Sequence, residues 1–454
     1  MPDSELDPSE VFVFAEENDP VDPGDDNGYW KLLVVDDEAD VHKATRLALA
    51  DFVFQGRKLR MYSAYSAGEA RNALVEHPDT AVILLDVVME SDDAGLKFIR
   101  FVRSEAKNHL ARIILRTGQP GQAPERQVIL EYDINDYKHK AELTARGLFT
   151  AIVASLRAYH DLDYISRFTN ALGRFVPDEL TRLLGKPSII DVSLGDHVQR
   201  DMAILFSDLR SFTTLSERLT PEEAFQFLNN YLEEIGPITR AHNGYIDKYV
   251  GDAILAIFPG GADDALQAAI DMQTKVDEFN LRRQEAGELR IQVGIGVHAG
   301  PLILGVIGER ERMEGTVVAD CVNLASRLEN LCKEFGVRIV TTEECLATTK
   351  DPDRYATRRL GTLPVRGKAH RVPAYEVFDC DAPDVQARKL ATRDSLAHGL
   401  DCLAAGELEE ATHEFRLVVE ALPDDPVALD YLAQATMRRR ASLLGHDTLT
   451  ADSA

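Results

Sequence analysis

The chain has 454 residues, 45% hydrophobic and 28% charged, with a net charge of −26 from 76 acidic and 50 basic side chains. That length holds two or three domains with real cores, and the acidic surplus weighs against nucleic acid or an anionic membrane as partner, since phosphate surfaces are bound by excess Lys and Arg. Five cysteines (Cys321, Cys332, Cys345, Cys380, Cys402) include no CxxC pair, which disfavours a disulfide framework or a zinc site and predicts buried free thiols.

Ten acids and no Lys or Arg fall in the first 28 residues, so residues 1–29 read as a disordered acidic tail rather than a signal peptide, which needs a basic start and an apolar core. No apolar run approaches the ~20 residues of a membrane span. A cytoplasmic protein is expected.

Residues 30–150 alternate short apolar strands with helical segments: KLLVVDD, a helix near 40–52, AVILLDVV, a helix near 94–106, RIILRTG, INDYKHK, then a helix to 158. Such alternation predicts a parallel sheet wound on both faces, with functional loops at the carboxyl ends of its strands. Asp36, Asp37, Asp86, Thr117 and Lys140 fall at those ends. Asp36 and Asp37 could hold one Mg²⁺, the Asp86 carboxylate could accept a phosphoryl group, and Thr117 and Lys140 could bind its oxygens. These residues together resemble a response-regulator receiver domain, which implies phosphorylation of Asp86 by a cognate histidine kinase and an aromatic switch at Tyr137. The chain departs from that pattern at Gly118, at Ala141 and in the long MESDDAG loop.

Residues 151–198 open with AIVASLRAYHDLDYISRFTNALGRF, whose apolar positions Ile152, Leu156, Tyr159, Leu162 and Ile165 recur every three or four residues. This predicts either a dimerising signalling helix or a plain packing helix.

Residues 199–380 run strand, helix, hairpin, helix, strand, hairpin, helix, strand, an order that suggests a ferredoxin-like (βαββαβ) core. Asp208 lies at the end of the buried run Met202–Phe206, and Asp252 at the tip between Tyr245–Val250 and Ala253–Phe258. Two carboxylates close together repel unless a cation lies between them, and hard oxygen donors without His or Cys suit Mg²⁺ or Mn²⁺. In ADCVNLASRLENLCKE, a helical net puts Cys321, Leu324, Ala325, Leu328, Leu331 and Cys332 on one face and Asn323 with Arg327 on another, away from the core. Thr220 and Glu223 form a capping box before TPEEAFQFLNNYLEEI.

FSDLRSFT, DKYVGDAILAIF, GVHAGPLILGVIG, GTVVADCVNLASRLE and LPVRGKAHRVPAYEVF, in this order, resemble the class III nucleotidyl cyclases over about 180 residues. The resemblance implies that Asp208 and Asp252 bind two Mg²⁺ or Mn²⁺ ions, Lys248 and Thr316 contact the purine, Asn323 and Arg327 act in the transition state, and Lys368 binds the triphosphate. It also implies sites shared between protomers, hence a homodimer. A Lys ammonium and a Thr hydroxyl complement adenine N1 and N6 and oppose guanine, so ATP is the expected substrate and 3′,5′-cyclic AMP with pyrophosphate the products. Thr316 further resembles a bicarbonate-responsive subgroup. Gly315, where an aromatic is common, and Ala319, where a glycine is common, depart from the pattern; Ala319 would be strained if its position needed φ > 0.

Residues 388–446 read as helices around AGELEEA and after PDDP, similar to one degenerate tetratricopeptide repeat that would pack on the dimer or a partner, with a simple cap as the alternative. The whole chain is thus expected to combine α/β and α+β units with a short α-helical repeat-like tail, as a receiver-regulated adenylate cyclase of a two-component system. The rival readings are a non-catalytic signalling scaffold and a guanylate cyclase. A transcription regulator lacks its basic recognition helix, and a diguanylate cyclase its GGDEF signature.

Overall fold

The computed structural model describes residues 28–117, 132–140, 144–364 and 371–451. The expected acidic tail, Gly118, Ala141 and Lys368 lie outside these residues. The chain divides into two compact units, residues 1–172 and 173–454.

In the first unit, β1 (Tyr29–Val35), α1 (Ala39–Ala48), β2 (Val53–Phe54), β3 (Arg57–Ala64), α2 (Ala67–Glu76), β4 (Val82–Asp86), α3 (Ala94–Arg100), β5 (Arg112–Thr117), β6 (Asp136–His139) and α4 (Ala145–Leu172) follow in order. The sheet order is β2-β3-β1-β4-β5-β6, parallel except for the β2–β3 hairpin. Both faces are covered, which is why β4 and β5 are buried end to end. Leu33, Val35, Ile83 and Leu85 pack on one side, while Leu32, Val34 and Leu84 meet Leu148, Ile152 and Leu156 of α4 on the other. The doubly wound expectation holds. The sequence reading nevertheless missed β3 and α2: β3 is only partly buried and reads RKLRMYSA, without the apolar run that marks β1 and β4.

The helix expected to end at 158 and the one expected to begin at 151 are a single 28-residue helix, α4. Its first half packs through Leu148, Ala151, Ile152, Ser155 and Leu156, and Tyr159 meets Trp30 edge-on. Farther along, Leu162, Ile165, Phe168 and Leu172 are exposed.

The second unit contains α5 (Asp178–Leu183), β7 (His197–Leu209), α6 (Phe212–Ser216), α7 (Pro221–Ala241), β8 (Tyr245–Val250), β9 (Ala253–Phe258), α8 (Ala262–Glu285), β10 (Val293–Glu309), β11 (Arg312–Val318), α9 (Asp320–Phe335), β12 (Ile339–Thr342), α10 (Glu343–Ala347), β13 (Thr357–Pro364), β14 (Arg371–Val377), α11 (Pro383–Ala405), α12 (Leu408–Ala421) and α13 (Pro426–Ala451). Its sheet runs β13-β14-β12-β10-β7-β9-β8, with β11 paired to β10. The inner order β10-β7-β9-β8, antiparallel throughout, with α7 and α8 as crossovers, is the βαββαβ arrangement the sequence suggests. Strand alternation sorts the two faces. Ala203, Leu205 and Leu209 share a core with Phe227, Tyr231 and Leu266, whereas Met202 and Ile204 share one with Leu302, Cys321 and Ala325. The Thr220–Glu223 capping box is present, Thr220 Oγ1 accepting from the Glu223 amide at 3.2 Å.

The three C-terminal helices pack on their own unit. Leu396, Leu400, Phe415, Val418, Val427 and Ala428 form one core with Leu324, Leu328 and Leu331 of α9. Beneath them lies a buried charge network. The Arg358 guanidinium donates to Asp425 and, at 2.5 Å, to Glu376, and Lys389 Nζ bridges Glu376 (2.6 Å) and Asp381 (2.5 Å).

Candidate active site

β7 ends on Ser207, Asp208 and Leu209, and its alternation turns Asp208 to the sheet face that α9 covers, where Phe206 also packs. In register, Asp208 faces Gly294 of β10. Asp252 stands in the two-residue turn between Val250 and Ala253, whose first position, Gly251, has φ +66°. A tight β-hairpin requires positive φ there, and Gly supplies it without steric cost. The hairpin brings the Asp252 carboxyl to that of Asp208: burial first, then the charge of Asp252 and a hydrogen bond with it, push Asp208 up to about 6. Burial and the neighbouring acid thus disfavour the ionised form of Asp208, a strain that a divalent cation relieves. The donor set fits Mg²⁺ or Mn²⁺.

Between residues that contact the tail, α9 carries one the sequence reading passed over. Glu329 is only 5% exposed, and burial followed by the charge of Asp208 raises it to about 7. Little in the sequence marked it, since a helical net puts position 329 at the edge of the apolar face, past Ala325 and Cys332. Helix α9 rests directly on β10: a Cβ at Gly294 would lie 2.7 Å from Glu329 Oε1, and one at Gly296 would collide with the Ala325 carbonyl. Arg210, two residues after Asp208, donates to the carbonyls of Cys332 (2.6 Å) and Val337 and so holds the carboxyl end of the helix. Asn323 is exposed and Arg327 half-buried, both off the face that packs on the sheet, as the helical net predicts.

Lys248 and Thr316 come together as a pair. A β-bulge between Ile246 and Lys248 re-aims the strand. Lys248 Nζ then donates to Thr316 Oγ1 at 2.9 Å and to Glu314 Oε1 at 2.7 Å. Asp247, whose side chain is 5% exposed, lies 3.6 Å from the same ammonium. Burial alone would lower the Lys248 pKa, but Glu314 and Asp247 outweigh it and hold the ammonium charged. Glu314 and Asp247 were not anticipated from the sequence. The two departures in this loop resolve physically. Leu180 of α5 fills the space beside Gly315, so a larger side chain there would displace it. The anticipated strain at Ala319 is overturned, because its backbone is extended at φ −167° and ψ 154° and takes a methyl freely.

In the first unit, Asp36, just after β1, and Asp86, at the end of the adjacent β4, converge on Lys140, whose Nζ lies 3.2 Å from Asp36 Oδ2 and 2.7 Å from Asp86 Oδ2. Glu38, unanticipated, accepts from the same Nζ at 3.0 Å, and Asp36, Asp37 and Glu38 present carboxylate oxygens within 4.8 Å of one another. Burial raises Asp86 against the pull of Lys140. Burial alone would lower Lys140, yet its hydrogen bonds to Asp86 and Glu38 raise it above its ordinary value. Thr117 is buried at the end of β5 and Tyr137 within β6. The expected set is therefore gathered at one sheet edge, on both sides of the point where strand order reverses.

Residues 196–377 match the family model described as the adenylate and guanylate cyclase catalytic domain. An adenylate cyclase of Anabaena cylindrica is 36% identical over 254 residues, 53% of this chain and 51% of that protein. A 3′3′-cGAMP-specific phosphodiesterase of Vibrio cholerae is 51% identical over 133 residues, 29% of this chain and 26% of that protein. Among solved structures, the adenylyl cyclase CyaB from P. aeruginosa is 30% identical, with 40% of this chain and 96% of that one covered at a TM-score of 0.37. The chain thus spans about half or less of the length of these two curated relatives. No described helix is long and apolar enough to cross a membrane.

Proposed function

We propose, from the premise that residues 196–377 are a nucleotidyl cyclase catalytic domain of the adenylate/guanylate class, that the protein is an adenylate cyclase converting ATP to 3′,5′-cyclic AMP and pyrophosphate. The observation that carries the reading is the pairing of Asp208 with Asp252, together with a Lys248–Thr316 pair suited to reading a base. Two divalent ions bound at the aspartates would promote ionisation of the ribose 3′ hydroxyl and offset charge on the phosphoryl oxygens. Lys248 donates to adenine N1 and Thr316 accepts from N6, and Glu314 and Asp247 keep the ammonium charged and aimed. Guanine, with N1–H and O6 in the reverse sense, would face the Lys with a donor, which disfavours the guanylate cyclase alternative.

Asn323 and Arg327 act on the transition state, Arg327 by neutralising phosphoryl charge. Because they lie off the packed face of α9, they serve the site of a second protomer, and the working enzyme is a homodimer with Lys368 on the triphosphate. The first unit is read as a receiver with Asp86 as phosphoacceptor, Asp36, Asp37 and Glu38 as its cation ligands and a histidine kinase as donor. Its phosphorylation alters turnover through α4, the helix that precedes the second unit in the chain. Residues 388–446 are a tetratricopeptide-like cap that stiffens the catalytic unit.

Purified protein incubated with ATP or GTP and Mg²⁺ or Mn²⁺ should yield cyclic AMP from ATP, with Asp208→Ala inactive. Product from GTP alone, or none from either, would refute the reading. Equal rates for wild type and Asp86→Ala, with and without acetyl phosphate, would refute receiver control.

A further inference from the structure

The C-terminal helices hold a group of metal-ligating side chains that the catalytic mechanism does not use. On α11, His398 and Cys402 are four residues apart and so stand one above the other; on α12, Glu410 and Glu414 do the same. The short connection through Gly406, in the left-handed conformation at φ 83°, joins the two helices, and Gly399 lets them approach closely. A Cβ at Gly399 would lie 2.7 Å from the Phe415 ring. Since Gly399 and Phe415 are the chain neighbours of His398 and Glu414, the two pairs meet. One ligand atom each from His398, Glu410 and Glu414 lies within 4.8 Å of the other two. His398 Nε2 is also 3.7 Å from Cys402 Sγ. Two such ligands of one tetrahedral zinc ion, with Zn–S about 2.3 Å and Zn–N about 2.0 Å, stand about 3.5 Å apart.

Among the described residues no protein cation balances these acids. Glu409 beside them pairs with Arg439 at 2.7 Å, but neither Glu410 nor Glu414 makes an ion pair, and the His398 ring makes none with either. Like charges four residues apart on a helix repel, and a bound cation turns that repulsion into shared ligation. The Cys402 thiol belongs to the same group: burial first, then Glu407 and the charges of Glu410 and Glu414, bear on its sulfur.

We propose that His398, Cys402, Glu410 and Glu414 form a Zn²⁺ site that clips α11 to α12. Imidazole nitrogen, thiolate sulfur and carboxylate oxygen are the donors zinc takes in four-coordinate sites, whereas Mg²⁺ and Ca²⁺ select oxygen alone. No CxxC pair is needed, because the donors come from two helices. On binding, Cys402 gives its thiol proton to solvent and His398 coordinates as the neutral ring. Both helices share a core with Leu324 and Leu328 of α9, the helix of Asn323 and Arg327, so the clip stiffens the support on which that helix rests. The site stands independently of the reaction assigned to the catalytic unit.

The test uses the full chain carrying Asp208→Asn, which disables the carboxylate pair of the catalytic unit, stripped with EDTA and titrated with Co²⁺ and then Zn²⁺. One equivalent of Co²⁺ should produce a sulfur-to-cobalt charge-transfer band and the strong visible absorption of a four-coordinate ion. Zn²⁺ should discharge both and raise the melting temperature. All-oxygen sites, such as the acids at Asp36 and Asp37, give neither signal. His398 and Glu410 are exposed, so replacing them does not endanger the fold. His398→Ala, and Glu410→Gln with Glu414→Gln, should each weaken Co²⁺ binding on the order of a hundredfold, the upper end of what losing even a ligand's hydrogen-bond partner does. Cys402→Ser should remove the charge-transfer band. Absence of that band before any of these substitutions would overturn the proposal. So would a band that survives Cys402→Ser, or binding and a Zn²⁺-induced rise in melting temperature that both His398→Ala and the double glutamine variant leave unchanged.

Discussion

At the scale of single residues, the site is a cluster of acids held in an uncomfortable state. Asp208 is raised to about 6 and Glu329 to about 7, in both cases by burial first and by acidic neighbours second. A carboxyl whose pKa is higher folded than unfolded favours folding while protonated, and that contribution is lost as pH climbs through the folded value. In EDTA the catalytic unit should therefore lose stability between roughly pH 4 and pH 7, and Mg²⁺ or Mn²⁺ should restore it at the upper end; thermal melts across that range, with and without the ion, check both signs. Base choice is decided at Lys248. Lys248→Glu inverts the donor facing the purine and should cut kcat/KM for ATP by about a hundredfold or more while raising that for GTP relative to it, a ratio read by product analysis from both nucleotides. Unchanged preference would remove Lys248 from recognition.

At the scale of elements, what was legible followed periodicity, and what was missed involved contacts distant in sequence. The Tyr245–Phe258 hairpin could be read because a glycine with a turn neighbour separates two apolar strands, and α9 because its apolar face repeats every three or four residues. β3 and α2 were passed over because neither carries enough apolar residues to stand out. Glu314, Glu38 and Glu329 looked like ordinary solvated acids, since only the fold places Lys248, Lys140 and Asp208 beside them. The tail shows the same limit. Its helices could be located, but not the fact that Arg358 of β13 reaches Asp425 at the start of α13 and joins it to the sheet. Asp425→Ala leaves the buried guanidinium with one partner fewer and should cost the catalytic unit about 3–5 kcal/mol, the usual price of breaking a buried ion pair. Denaturant unfolding of the variant measures it, and a loss below about 1 kcal/mol would show the pair to be solvated in solution.

For the molecule as a whole, each unit's fold class was visible in the order of its strands and helices, whereas the division of labour between two copies could be sensed only from which way α9 faces. Asp208 and Asp252 sit together in one chain, while Asn323 and Arg327 lie off the packed face of the same chain's helix. If the site is completed by a second copy, Asp208→Ala and Arg327→Ala, each inactive alone, repair one another in a mixed dimer. One of the two sites there carries both lesions and the other carries none. Random pairing of equal amounts makes half the dimers mixed, so co-refolded or co-expressed variants should recover on the order of a quarter of wild-type cyclic AMP formation, by two-fold symmetry of the dimer. An active site built within one chain would recover nothing at any mixing ratio, so titrating one variant against the other and following product formation distinguishes the two architectures directly.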